Sequence, residues 1–225
     1  MKDFQENIVP ATNQNSTDIF LGRADGSPRV LFVGNSITRH GRKPDIGWDR
    51  DCGMAASDAD HDYVHVFARR FLEKYPDAGF GILQAANFER QFDKGMELEK
   101  VYREVIDWKP DIVVMFFGAN VSRDYDAAET HEISFGSRYG ELRDLLDSGK
   151  TLFFHSEGFY LRPVLDKEKQ AVCASRGDTW IPLGDINSRE DAHGMFNHPG
   201  DLGMKLIADR FYDYVTAGLS NITEF

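Results

Sequence analysis

From Arg29 onward the chain alternates short apolar runs with stretches whose apolar residues recur every three or four positions. Val30-Leu31-Phe32-Val33 runs into Gly34, the pattern of a strand covered on both faces. Over 62–75, Val64, Phe67, Ala68 and Phe71 share one stripe and predict an amphipathic helix. The alternation then repeats. Strands are expected at Phe80–Leu83, Asp111–Phe117, Thr151–Phe154 and Trp180–Leu183, and helices at Met96–Trp108, Ile133–Leu146, Asp166–Ala174 and Asp201–Val215. Ile112 to Phe117 is the most apolar run and the best candidate for a central strand. Strands alternating with helices in this way predict an α/β fold: a three-layer α/β/α sandwich around a parallel five-stranded sheet. Residues 1–28 are polar, with Pro10 and the turn signal Asp25-Gly26-Ser27-Pro28; only Asp18–Leu21 could make a short strand. They read as an arm packed along one domain over 29–225.

Composition narrows the class. The 225 residues are 41% hydrophobic and 12% aromatic, enough for a sizeable core, so wholesale disorder is excluded. The net charge of −11 argues against a nucleic-acid partner, which needs a basic face. No stretch approaches the ~18 apolar residues of a membrane span. No apolar run follows a basic segment at the N-terminus, so the chain reads as cytoplasmic, although one trimmed of a leader would read identically. Cys52 and Cys173 lie in no metal-type spacing and read as two free thiols. Neither a cofactor nor a metal is expected: His61 and His65 have a two-histidine helical spacing, but Asp62 stands where the zincin string needs Glu. The acidic stretches Asp58–Asp62 and Asp124–Asp126 read as solvated surface.

In a doubly wound sheet, ligands gather beyond the carboxyl ends of the strands. There the chain places Gly34-Asn35-Ser36-Ile37-Thr38 after the first strand of the pattern and Gly118-Ala119-Asn120 after the third. Asn197-His198-Pro199-Gly200-Asp201 stands just before the last helix. These clusters supply a hydroxyl, an amide donor and an imidazole, the set acyl transfer needs. The three blocks, in this order, resemble those of the SGNH (GDSL-like) hydrolases over residues 29–217, with Asn35 where Asp is more usual. That resemblance implies a flavodoxin-like SGNH-hydrolase fold and a serine esterase. Ser36 would be the nucleophile, His198 the base, and Asn120 a side-chain donor to the oxyanion. The Ser36 N–H would be a second donor. A third N–H is expected from Ala86 or Asn87, because the corresponding stretch, Gln84 to Glu89, lacks the family's glycine.

A further departure concerns the acid. The family's Asp three residues before the histidine is replaced by Met195. Asp191, with Glu190 and Asp185, is the nearest carboxylate upstream in sequence, and a backbone carbonyl is the other way to orient His198. The long loop from Ile37 to Asp60 carries Arg39, His40, Arg42, Lys43, Trp48 and Met54 beside Ser36. It reads either as a substrate lip, with Asn35, Arg39 and Trp48 touching a small-molecule or glycan ester, or as packing over the sheet edge. An O-acetyl carbohydrate suits the shallow polar lip; a lipid ester would want a larger apolar channel. Two rivals remain: a catalytically silent binding module with this fold, favoured by Met195 and the absent glycine, and an anion-cradling nucleotide binder, which lacks the Gly-rich fingerprints. The oligomeric state is not written in the sequence.

Overall fold

The computed structural model describes residues 15–22 and 26–220. Of the arm expected over 1–28, residues 1–14 and 23–25, Asp25 of the turn signal among them, lie outside the described residues. In chain order the strands are β1 (Asn15–Gly22), β2 (Arg29–Gly34), β3 (Gly79–Ala85), β4 (Ile112–Phe116), β5 (Leu152–Ser156) and β6 (Thr179–Ile181). The helices are α1 (Tyr63–Lys74), α2 (Ala86–Gln91), α3 (Leu98–Val101), α4 (Arg103–Trp108), α5 (Arg123–Ala127), α6 (Phe135–Leu145), α7 (Pro163–Arg176) and α8 (Asp201–Leu219).

The sheet runs β1-β3-β2-β4-β5-β6. The five strands β2 to β6 are mutually parallel, as expected. The short strand expected at Asp18–Leu21 is longer, and it joins the sheet as a sixth, antiparallel edge on β3. Helix 96–108 is split at Tyr102, whose buried side chain coincides with a departure from helical geometry. The six-residue helix α2 was not expected, being too short to show a period.

The strand order decides where helices lie. The step β2 to β3 goes one way across the sheet and β3 to β4 goes back the other way, past β2. Crossovers keep one hand, so reversing the direction reverses the face they cover. Accordingly α1 packs with α8 over one face, in a core with Val30, Phe32, Val114, Phe67 and Phe211. Residues of α2, α4, α6 and α7 cover the other, with Leu31, Val33, Val113, Phe88, Val105 and Tyr139. Consecutive residues of β2 thus belong to opposite cores, which is why its run is uniformly apolar. The reversal lies between β2 and β4, where a doubly wound sheet opens its crevice. The loops bearing Ser36 and Asn120 leave those two strands.

Candidate active site

Gly34 ends β2 at a position only glycine can fill, since a Cβ there would lie 2.1 Å from Thr38 Oγ1 and 3.0 Å from the Phe116 carbonyl. The chain then turns tightly. Thr38 and Arg39 donate to the Asn35 carbonyl at 2.9 and 3.0 Å, and Asn35 Oδ1 accepts from the Ile37 N–H at 3.1 Å. From Leu31 to His40, Ser36 alone is partly exposed. The Ile37–Asp60 loop braces this turn from outside. Met54 N–H donates to the Ser36 carbonyl at 2.8 Å, and Tyr63 donates to Thr38 Oγ1 at 2.8 Å. Asp62, fully buried, accepts from the Gly53 N–H while capping α1 through the His65 N–H.

His198 arrives from the other end of the chain, on a hairpin over 192–200. Gly194 N–H donates to the His198 carbonyl at 2.7 Å and Gly200 N–H to the Ala192 carbonyl at 2.9 Å. The turn at its tip is closed by the His198 N–H on the Met195 carbonyl at 3.0 Å. Its central residues, Phe196 and Asn197, both adopt left-handed backbone, with φ of 58° and 57°. That conformation suits Asn and opposes Phe.

Ser36 Oγ and His198 Nε2 lie 2.9 Å apart, 162 residues distant in sequence. On the far side of the ring, Nδ1 faces the Phe196 carbonyl at 3.0 Å. A carbonyl only accepts, so Nδ1 carries the proton and Nε2 presents its lone pair to the serine hydroxyl. Tyr160 adds to this arrangement: its hydroxyl donates to the Asn197 carbonyl at 3.1 Å, and its oxygen stands 3.3 Å from Nδ1. Burial holds the His198 pKa below the usual histidine value of 6.5, and the nearby His40 acts in the same direction. The neutral ring a base requires is therefore favoured.

Asn120 sits after β4 beyond Gly118, whose φ of +134° demands glycine. Arg162, 1% exposed, fixes this loop through the carbonyls of Gly118, Val121 and Ser122 and through Asp126. Asp126 is thus a structural partner, and Asp62 a buried cap, where solvated surface was expected.

Several expected site residues stand elsewhere. Asp191 lies in an exposed turn, held by Arg189 at 3.0 and 2.8 Å, and makes no bond to His198; the backbone carbonyl of Phe196 occupies the place expected for a carboxylate. Trp48 is 0% exposed, its indole N–H on the His40 carbonyl, so it packs the loop and offers no face to a sugar. Arg39 is buried against Asp51 at 2.8 and 2.9 Å, a loop brace rather than a substrate contact. Asn35 is buried too, its amide spent on Ile37 N–H and on Glu89. The Ala86 N–H is already engaged by Gln84 Oε1 at 3.1 Å. Asn87, next along in the first turn of α2, where helical N–H groups lack intrahelical partners, remains. His65 is bound to Asp62 and His61 to Asp58, and among the described residues no group of three His, Cys, Asp or Glu side chains is placed to hold a metal. Both cysteines are free and buried.

No family model and no curated protein sequence matches the chain. Solved structures do match it in fold. The psychrotrophic esterase EstA from Pseudoalteromonas sp. superposes with a TM-score of 0.60 at 13% identity, over 86% of this chain and 100% of that one. A two-domain esterase active on acetylated mannans gives 0.58 at 16% identity over 88% of this chain, which spans only 50% of that protein. Axe2, an acetylxylan esterase from Geobacillus stearothermophilus, gives 0.53 at 17% identity, covering 84% of this chain and 94% of the other.

Proposed function

We propose that this chain, which shares the fold of the SGNH-type esterases, is itself a serine esterase that cleaves O-acyl groups through an acyl-Ser36 intermediate. The 2.9 Å approach of Ser36 Oγ to a His198 ring whose other nitrogen is pinned by a carbonyl carries this reading. Ser36 Oγ attacks the acyl carbonyl carbon as His198 Nε2 takes its proton. The tetrahedral oxyanion forms opposite the Ser36 N–H, the Asn120 amide and the Asn87 N–H. His198 then returns the proton to the leaving alcohol oxygen as the C–O bond breaks. Water, deprotonated by the same nitrogen, releases the acid and regenerates Ser36.

The preferred substrate is a short acyl group, acetyl foremost, on a carbohydrate. Two of the fold relatives act on acetylated mannan or acetylxylan. With Trp48 buried, the side chains beside the Ser36–His198 pair include Tyr160, against the His198 ring, and the exposed Phe196 of its turn. Stoichiometric labelling by a fluorophosphonate, abolished in Ser36→Ala, tests the activated serine. A protein that hydrolyses acetylated sugars or a p-nitrophenyl ester as fast after that substitution as before it would refute the assignment. No labelling of the parent would favour the silent binding module, the reading that a histidine without a carboxylate partner keeps open.

A further inference from the structure

A buried carboxylate that the mechanism above does not use lies directly behind the proposed oxyanion donors. Glu89, in α2, is 1% exposed and surrounded by donors. Its Oε1 accepts from Asn35 Nδ2 at 3.2 Å and from the Gly118 N–H. Its Oε2 accepts from the Asn120 N–H at 3.2 Å and from Asn120 Nδ2 at 2.6 Å. One side chain therefore joins the turn before Ser36 to the loop that carries Asn120. The next residue, Arg90, reaches the opposite end of the same amide, with Nη2 donating to Asn120 Oδ1 at 2.8 Å.

We infer that Glu89 and Arg90 are positioning residues that clamp the two ends of the Asn120 amide and thereby fix which end faces the oxyanion. The inference rests on the esterase reading of the site. A side-chain amide left alone can flip, exchanging its donor end for its acceptor end. Here the chemistry of the partners forbids it. A carboxylate receiving four donors only accepts, and a guanidinium only donates, so the flipped amide would face like with like at both ends. Held this way, Nδ2 keeps one hydrogen on Glu89 and has a second that no described group accepts. That second hydrogen is the one available to a developing oxyanion. The negative charge of Glu89 would oppose an oxyanion by itself; the Arg90 guanidinium on the amide oxygen offsets it. The gain is thus orientation, obtained before substrate arrives.

The test is a pair of double-mutant cycles on p-nitrophenyl acetate. Glu89→Gln replaces one acceptor with a donor and should lower kcat by roughly 10²-fold, with KM little changed. Arg90→Met, at an exposed position, should lower it by about three- to tenfold. Against an Asn120→Ala background both effects should largely vanish, because the amide they orient is gone. Equal losses in the two backgrounds would overturn the clamp. If Glu89→Gln loses its cooperative thermal transition, the Arg90 cycle decides alone. A second readout needs no turnover: the Asn120 side-chain amide, assigned by its disappearance in Asn120→Ala, should give one downfield, exchange-protected proton, the one on Glu89, beside an ordinary one, and that protection should weaken in Arg90→Met. An Asn120 amide with both protons unprotected and at ordinary shifts in the parent would refute the clamp even in a protein with no esterase activity. Failure of the esterase reading shows separately, as hydrolysis indifferent to Ser36→Ala.

Discussion

The two groups that meet at 2.9 Å are presented by very different pieces of protein. Ser36 stands on a turn welded to the central strand, with Asn35, Ile37, Thr38, Arg39 and His40 all buried around it. His198 stands on a hairpin whose tip exposes Met195 and Phe196 and holds two residues in left-handed backbone. The serine is placed by packing: a Cβ at Gly34 or a shift of Met54 would disturb it directly. The histidine is placed by its own backbone, through the Phe196 carbonyl two residues upstream, with Tyr160 as the one side-chain contact on that nitrogen among the described residues. A nucleophile on a rigid element and a base on a strained turn divide the task. The first fixes position, and the second fixes tautomer and ring orientation.

The sharpest break removes the nucleophile from its rigid frame. Ser36→Ala should lower kcat by about 10⁴-fold or more on a short p-nitrophenyl ester. Its thermal midpoint should match the parent, because a partly exposed hydroxyl whose partner is an imidazole contributes little packing. A large drop in the midpoint would mean that the hydroxyl is structural. Asn120→Ala should come next, slowing turnover by about 10²–10³-fold with a smaller change in KM, since the amide acts on charge that appears only in the transition state.

The pH profile probes the base. Burial lowers the His198 pKa, so the ring stays neutral into more acid solution than an exposed histidine would. Protonation below that pKa removes the acceptor for the serine proton and switches the reaction off. The acid limb of kcat/KM should therefore fall below pH 6.5, the ordinary histidine value. A limb above 6.5 would require a carboxylate near the ring that raises its pKa. The described residues place none within hydrogen-bonding distance.

These contrasts also explain what the sequence disclosed. The rigid half was legible: an apolar run ending in Gly34-Asn35-Ser36 could only be a buried strand with polar residues at its tip, and Gly118-Ala119-Asn120 repeated that logic. The block at His198 gave the position of the imidazole but not its partner. A backbone carbonyl has no side chain to leave a mark, and the nearest carboxylate upstream in sequence, Asp191, is held by Arg189 instead. Nor does a Phe in left-handed backbone announce itself, because propensity points the other way. Trp48 misled for a related reason: an aromatic in a polar loop reads as exposed, whereas here the loop folds back and buries it beneath His40. Glu89 passed unnoticed because six residues of α2 show no period, and nothing local reveals that four donors from two other segments converge on it.

Smaller effects test the strained half. Phe196 holds φ of 58° at a cost of about 1–2 kcal/mol relative to a residue that accepts that region. Phe196→Asn should therefore raise the thermal midpoint by about 2–8 °C in a protein of this size, less whatever its half-exposed ring contributes. No comparable gain is available on the serine turn, where the left-handed conformation is absent from Asn35 to His40. A fall in the midpoint would show that the ring packs more than its exposure implies.

The smallest expected effect bears most directly on how the base is held. If a carboxylate oriented His198, its loss would cost on the order of 10⁴-fold, because the wrong tautomer would be presented to the serine. Asp191 lies seven positions upstream and is the natural suspect by sequence alone. In the structure both its oxygens engage the Arg189 guanidinium in an exposed pair, and the ring nitrogen it would have to reach is already on a carbonyl. Asp191→Asn leaves that carbonyl in place, so kcat/KM and the acid limb of the pH profile should match the parent in side-by-side assays. A loss of several orders of magnitude, with the limb displaced toward acid, would mean that the hairpin rearranges when substrate binds and brings Asp191 to the ring. The task of orienting the base would then pass from backbone to side chain, and the distinction between the two halves of the site would disappear.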